Sequence, residues 1–339
     1  MKPVYTDIGE EYRALRETTG LLDYEGAGLF RVFGPEAAAF LGRVSTRNVD
    51  FLLEGQISSA LALREDGTIV AELTIHCVGR DYLIEVSPTQ RDEVAAHLAA
   101  AAAAFDGVGI EDVSDEYGVF GIEGPKSFRV AQSLLPFPVA SMAYRSFTLV
   151  PWGDTGAELL ISRTGVTGEY GYKMHVPTAH AAAVRDELVV LGARECGSDA
   201  LDICRMEMRF ANVDREGGDT PFTPFDLGIQ WMVDFQHEFT GRAALLARWE
   251  GLDRLPVCWV ADAAENSVPV GGASVTAGGS DVGRVVHALR SPKLDRVIGT
   301  ARVDRAVAAS GVRLGVGTGA ITTISAPFLV ATSFGTSLD

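Results

Sequence analysis

At 339 residues and 36.1 kDa the chain exceeds what one simple core usually fills, so two or three domains are expected. Its 29 Lys+Arg against 45 Asp+Glu give a formal net charge of −16, which leaves no electrostatic case for a nucleic-acid or anionic-membrane partner. Cys77, Cys196, Cys204 and Cys258 are scattered without metal-site spacing and point to reduced thiols in a cytoplasmic protein; no apolar run is long enough to span a bilayer.

In chain order, residues 10–19 have helical composition and Gly20 is a suitable stop. Residues 29–33 alternate like a strand, Gly34-Pro35 turns the chain, and a helix is expected over 36–41. Residues 57–63 and 69–78 read as strands joined by Arg64-Glu65-Asp66-Gly67, which has hairpin chemistry. A strand over 82–86 precedes a helix over 90–103, and the alanine-rich stretch 95–105 is expected to be a buried helix end. Strand 119–123, Gly124-Pro125 and helix 126–134 repeat the order seen at 30–41, as two copies of one αβ unit would.

Strands over 147–151 and 157–162 lead into the glycine-rich stretch 163–173, whose backbone needs special dihedrals or close approach to something. A strand at 174–177 and a helix at 181–191 follow. Arg205 and Glu207 then stand among apolar residues, upstream of the short Pro224-Phe225-Asp226-Leu227-Gly228 segment and Trp231, a combination that usually lines a pocket. A loop and short helix occupy 238–249. Beyond Gly251, short β-like runs and frequent glycines mark a boundary near residue 250, dividing a 1–250 region from a small all-β domain over 251–339. Residues 326–330 read as its last strand, and 333–339 as a frayed end.

Glu72 interrupts an apolar strand. It is either a carboxylate on a solvated strand face or one held in a pocket to orient a donor and stabilise developing positive charge. Arg205 and Glu207 form either a structural ion pair or part of a site, and Asp202 could brace the same guanidinium on a helix. Tyr170 and Tyr172 could stack on a flat ligand or simply sit at a hairpin tip. The six histidines form no HxH or HExxH pattern, so no metal site is expected; P-loop, Rossmann and nucleophile-elbow patterns are absent too.

Arg205-Met206-Glu207, the Pro224 to Gly228 segment with Trp231, Phe239-Thr240-Gly241, and the Ser162 to Gly171 stretch together resemble the aminomethyltransferase, or glycine cleavage T protein, family, which includes folate-dependent demethylases. Gly34-Pro35-Glu36-Ala37, the segment from Asp66 to Leu73, Gly124-Pro125-Lys126 and Ser291-Pro292 fall in the same order, so the likeness spans nearly the whole chain. It implies an α+β, three-domain cloverleaf around a central tetrahydrofolate channel, with a small C-terminal β-barrel. It also implies transfer of a one-carbon unit between folate N5 and a small substrate. On this basis Glu72 and Arg205 are expected to be catalytic, and Tyr82, Glu169, Tyr170, Tyr172, Lys173, Glu207 and Trp231 to contact the folate.

Some positions depart from the family pattern. Ala71-Glu72 stands where the aminomethyltransferases carry two aspartates, which moves the critical carboxylate one methylene outward. Lys173 stands where a glutamate usually accepts from the donor edge of the pterin, and a lysine can only donate. Tyr170 replaces a usual aspartate, and the family's early Gly-Trp segment is absent. The expectation is therefore a folate-dependent methyltransferase or demethylase acting on a small N-, O- or S-substituted molecule. The alternatives are a glycine cleavage aminomethyltransferase, which would need a lipoyl carrier protein as partner, and a non-catalytic folate-binding regulator or iron–sulfur assembly relative.

Overall fold

The computed structural model describes residues 1–217, 221–262 and 267–338. Helix α1 (Ile8–Glu17), capped by Asp7, leads into β1 (Gly20–Asp23). A first unit then runs β2 (Gly28–Phe33), α2 (Ala37–Val44), the meander β3 (Ile57–Leu63), β4 (Ile69–Val78) and β5 (Asp81–Val86), α3 (Arg91–Ala102) and β6 (Gly109–Asp112). A second follows in the same order: β7 (Tyr117–Glu123), α4 (Ser127–Leu134), the meander β8 (Phe147–Pro151), β9 (Glu158–Ser162) and β10 (Gly171–Pro177), α5 (Thr178–Val190) and β11 (Arg194–Cys196).

The repeat read from the two Gly-Pro turns therefore extends over the whole unit. The first sheet has the order β3-β4-β5-β2-β6, and the second the order β8-β9-β10-β7-β1-β11, with β1 inserted. At each turn the glycine takes a positive φ, +105° at Gly34 and +136° at Gly124, and its carbonyl accepts from the N–H three residues on, which starts the following helix. The sheets meet where β3 and β8 begin, with Ile57 N–H donating to Arg145 O and Phe147 N–H to Gly55 O.

Alternation along the strands sorts two faces. Ala71, Leu73, Ile75 and Cys77 of β4 and Tyr82, Ile84 and Val86 of β5 pack into the core against α2 and α3. Ile122 of β7 with Tyr172, Met174 and Val176 of β10 do the same in the second sheet. The opposite faces turn toward the junction of the two sheets and carry the polar residues.

Helices α6 (Ser198–Met208), α7 (Val213–Glu216), α8 (Pro224–Leu227) and α9 (Arg242–Glu250) follow. The closed barrel is β12 (Arg254–Ala261), β13 (Ser274–Ala277), β14 (Ser280–Ser291), β15 (Arg296–Asp304), β16 (Arg313–Val316) and β17 (Gly319–Ile324), around the buried Trp259. Acids of the connecting helices dock it: Asp202 accepts from His287 (2.7 Å), Glu216 from Thr300 (3.2 Å), and Asp226 pairs with Arg302 (2.6 Å). The fold is α+β with two related sheets and a barrel, as the resemblance implies.

Three local expectations are corrected. The alanine-rich part of α3 is not buried: Val94 and Leu98 supply its buried contacts while Ala99 and Ala100 are exposed, because alanine favours helix without bringing much apolar area to bury. Residues 326–330 form no strand; Pro327 cannot donate to a ladder, and Phe328 N–H donates instead to Glu207 O at 2.8 Å. The segment after Ser333 is tied down through a 3₁₀ turn at Thr332–Gly335, held by Glu169 rather than frayed; Asp339 lies outside the described residues.

Candidate functional site

The site is a cavity between the two sheets, closed on one side by α6 and the segment following α8. Its wall includes Ser59, Glu72 and Thr74 from the first sheet, Glu123 and Lys173 from the second, and Tyr24, Arg145, Arg205 and Trp231 from loops and α6. Strand alternation explains this set: Glu72 and Thr74 are among the junction-facing residues of β4, and Lys173 among those of β10.

Glu72 and Arg205 meet here, with Arg205 Nη2 at 3.5 Å from Glu72 Oε2. The guanidinium is aimed by backbone carbonyls beyond the end of its own helix: Nε donates to Phe210 O at 3.3 Å and Nη2 to Ala211 O. That geometry depends on Arg209, which ends α6 in the left-handed conformation (φ +60°) and folds the chain back toward Arg205.

Lys173 reaches into the junction. Its Nζ donates to Glu85 Oε1 at 2.6 Å and lies 4.2 Å from the centre of the Tyr24 ring. The ring fits because its strand neighbour is Gly121; a Cβ there would come within 2.9 Å of it. Glu85 also accepts from His175 Nε2 at 2.9 Å, and the His175 ring meets His76 edge to face at 5.1 Å. Burial opposes charge on Glu85, Lys173 and His76. Lys173 and His175 nonetheless hold the Glu85 carboxyl well below the usual carboxylate range, and Glu85 holds the lysine above its usual range. His76, whose Nδ1 donates to Leu83 O at 3.3 Å, is pushed down to about 3 by burial and by the neighbouring His175. Ligand-type atoms of His76, Glu85 and His175 lie within 4.8 Å of one another, a grouping that sequence spacing could not reveal; the Lys173 ammonium already neutralises the carboxylate.

Of the residues expected at the site, Glu72, Arg205, Lys173 and Trp231 are brought together at the cavity. Tyr82 packs instead into the core of the first sheet, on the opposite face of β5 from Glu85. Tyr172 is fully buried in the second core, its hydroxyl without a partner among the described residues. Tyr170 donates its hydroxyl to Thr336 O (2.6 Å), and Glu169 accepts from Thr332 N–H (3.0 Å) and Ser333 N–H (2.8 Å), so both bind the chain's own C-terminal segment.

Glu207 does not pair with Arg205, since residues two apart on a helix point to different sides. It is fully buried and accepts from Arg16 Nε (2.9 Å) and Tyr12 Oη (2.8 Å), with Ser291 of the barrel on the same carboxylate. Asp202 likewise turns from Arg205 to His287 and Asn212. Glu123, Glu85, Tyr24, Arg145 and Arg16 were not singled out from the sequence. Glu85 and Glu123 carry the same signal as Glu72, a carboxylate set into an apolar strand. Arg16 sits in an amphipathic helix and gives no such sign.

The GCVT N-terminal domain profile matches residues 2–237. The chain belongs to the aminomethyltransferase (glycine cleavage T) family. It is 33% identical over 324 residues to an aminomethyltransferase of Streptomyces coelicolor and 30% identical over 319 residues to one of Thermotoga maritima, each alignment covering 92% of this chain and 85% of the relative. The crystal structure of glycine cleavage system aminomethyltransferase T from Bartonella henselae superposes with a TM-score of 0.85 over 96% of this chain and 90% of that one, at 22% identity. That likeness establishes the three-domain fold. Among the described residues no helix is long and apolar enough to cross a membrane.

Proposed function

We propose that this chain is a tetrahydrofolate-dependent aminomethyltransferase. Its relatives' names favour aminomethyl transfer over the demethylation expected from the sequence. The observation that carries the reading is the Glu72–Arg205 pair, 3.5 Å apart on the wall of a cavity built by both sheets. The wall suits a flat heterocycle with polar edges: aromatic rings stand at Tyr24 and Trp231, and carboxylates, an ammonium and a guanidinium around them.

Tetrahydrofolate would supply a nucleophilic ring nitrogen that accepts the one-carbon unit. The chain's own part is positioning and electrostatics. The Glu72 carboxylate, held by Arg205, offers negative charge where the methylene carbon becomes electron-poor as it gives up its sulfur to the lipoyl thiol and its nitrogen as ammonia while bonding to the folate nitrogens. Arg205 keeps that carboxylate from turning toward bulk water and itself remains fixed by the Phe210 and Ala211 carbonyls. The half-exposed Trp231 and exposed Tyr144 stand at the mouth, where a donor carried on a lipoyl protein would enter.

A second reading, demethylation of a small N-, O- or S-methyl compound, is favoured by the Ala71-Glu72 pair and by Lys173 at the pterin-facing position. One assay separates them: purified protein is given tetrahydrofolate anaerobically with either an aminomethylated lipoyl carrier or methylated amines, ethers and thioethers. Formation of methylenetetrahydrofolate and ammonia with the carrier alone supports the first reading. Methyltetrahydrofolate formed from a free methylated compound supports the second, and no product in either case refutes both.

A further inference from the structure

Glu123, at the end of β7, is 2% exposed, and its two oxygens have different surroundings. Oε2 accepts from Val166 N–H (2.9 Å), Thr167 N–H (2.9 Å) and Thr167 Oγ1 (2.7 Å), so it is saturated and pins the glycine-rich loop. The loop backbone rests directly on it: a Cβ on Gly165 would come within 2.9 Å of Oε2. Oε1 accepts from no described residue, and Glu123 lines the cavity. Oε1 therefore opens on the cavity with its lone pairs free for a ligand's N–H donors or for water.

Lys173 is its neighbour on the same sheet face. In the β7–β10 ladder Glu123 stands opposite Gly171, so Lys173 lies two residues along. One of the three ammonium protons is directed to Glu85, which leaves two for a ligand. The wall thus offers an acceptor beside a donor. A simple anion would be repelled by Glu123 and a simple amine by Lys173. The wall suits a ring edge that presents N–H groups and a carbonyl side by side.

We propose that Glu123 and Lys173 together read the pyrimidine edge of the pterin, Glu123 Oε1 accepting from its 2-amino and ring N–H groups and Lys173 donating to its 4-oxo group. This rests on the folate reading above and deepens it. The carboxylate needed for the donor edge is supplied from β7, and position 173 of β10 becomes free to carry a cation.

The test is anaerobic isothermal titration of wild-type protein and Glu123→Gln with tetrahydrofolate and with its 2-desamino counterpart. Glu123→Gln preserves shape but can turn an N–H toward the ligand's own donors. Wild type is expected to bind tetrahydrofolate about 10- to 100-fold more tightly than the 2-desamino form, the range for a charge-assisted hydrogen bond. Glu123→Gln is expected to lose a similar factor for tetrahydrofolate and a smaller one for the 2-desamino form, which keeps only the ring N–H as a donor to Glu123. Unchanged tetrahydrofolate affinity in a folded Glu123→Gln overturns the proposal while the folate reading stands. Failure of wild type to bind tetrahydrofolate overturns the folate reading and this proposal with it. Should Glu123→Gln not fold, wild type alone decides: equal affinity for the two ligands overturns the proposal, and a preference of 10-fold or more supports it.

Discussion

Lys173 Nζ lies 2.6 Å from Glu85 Oε1 and joins the two sheets at their junction, since Lys173 belongs to β10 and Glu85 to β5. The contact explains how a lysine is tolerated on a face that also holds His175 and Glu123. It is a paired charge whose partner comes from the other half of the repeat.

Lys173→Met should remove the partner of a buried carboxylate while leaving His175 on its other oxygen. A loss of about 3 kcal/mol is expected, at the lower end for breaking a buried pair. Lys173→Glu should be worse, because it sets a second carboxylate against Glu85. Urea unfolding monitored by circular dichroism measures both; a Lys173→Glu protein as stable as wild type would show that the two sheets do not share this contact.

His76 should make stability fall with acid. Its folded-state value of about 3 lies below the ordinary 6.5, so on acidification the unfolded chain takes up a proton that the folded one refuses. Stability is then at its full value above about pH 6.5 and declines as pH falls toward 3, by up to about 1.4 kcal/mol per unit. Glu85, whose folded carboxyl lies below its ordinary range, adds its own loss only below about pH 4.5. Between pH 6 and 4.5 the slope contributed by His76 should vanish in His76→Gln, and an unchanged slope in unfolding titrations would refute the assignment.

Much of the architecture was legible because strand alternation and glycine punctuation act locally. The hairpin at Arg64 to Gly67 and both Gly-Pro turns announce themselves by the dihedrals they need, and the two β4 limits follow from its apolar run. The candidate cavity was legible where a charged residue broke an apolar pattern, as at Glu72 and Arg205, which meet on its wall. What a buried charge pairs with was not legible, because the partner is set by long-range packing. Glu207 is answered by Arg16, 191 residues away, and Glu169 by the C-terminal segment, 164 residues away. Both were expected to touch folate, and both hold parts of the chain together.

Glu207→Gln therefore tests a structural role. The substitution strips the charge that balances the fully buried Arg16 and weakens acceptors shared with Tyr12 and Ser291. Destabilisation of about 3–5 kcal/mol is expected. In the remaining folded protein, tetrahydrofolate affinity should be close to wild type, because Glu207 does not line the cavity. A stable protein with lost affinity would return Glu207 to the binding site.

Glu72 calls for the opposite pattern. Its side chain is about one-third exposed (34%) and its pair with Arg205 is loose at 3.5 Å, so Glu72→Gln should change stability by no more than about 0.5 kcal/mol. Turnover should fall by about 100-fold or more, chiefly in kcat, because the charge is wanted when the carbon becomes electron-poor and less when the donor binds. Glu72→Asp keeps the charge but withdraws it by one methylene from a site shaped around glutamate. A smaller loss, about 10-fold, is expected, since a misplacement of that size degrades positioning without abolishing the field. Steady-state kinetics on the three proteins gives the order Glu, Asp, Gln if charge at this point drives transfer. Equal turnover in wild type and Glu72→Gln would leave Glu72 as a tether for Arg205 and would refute its role as the donor-facing acid.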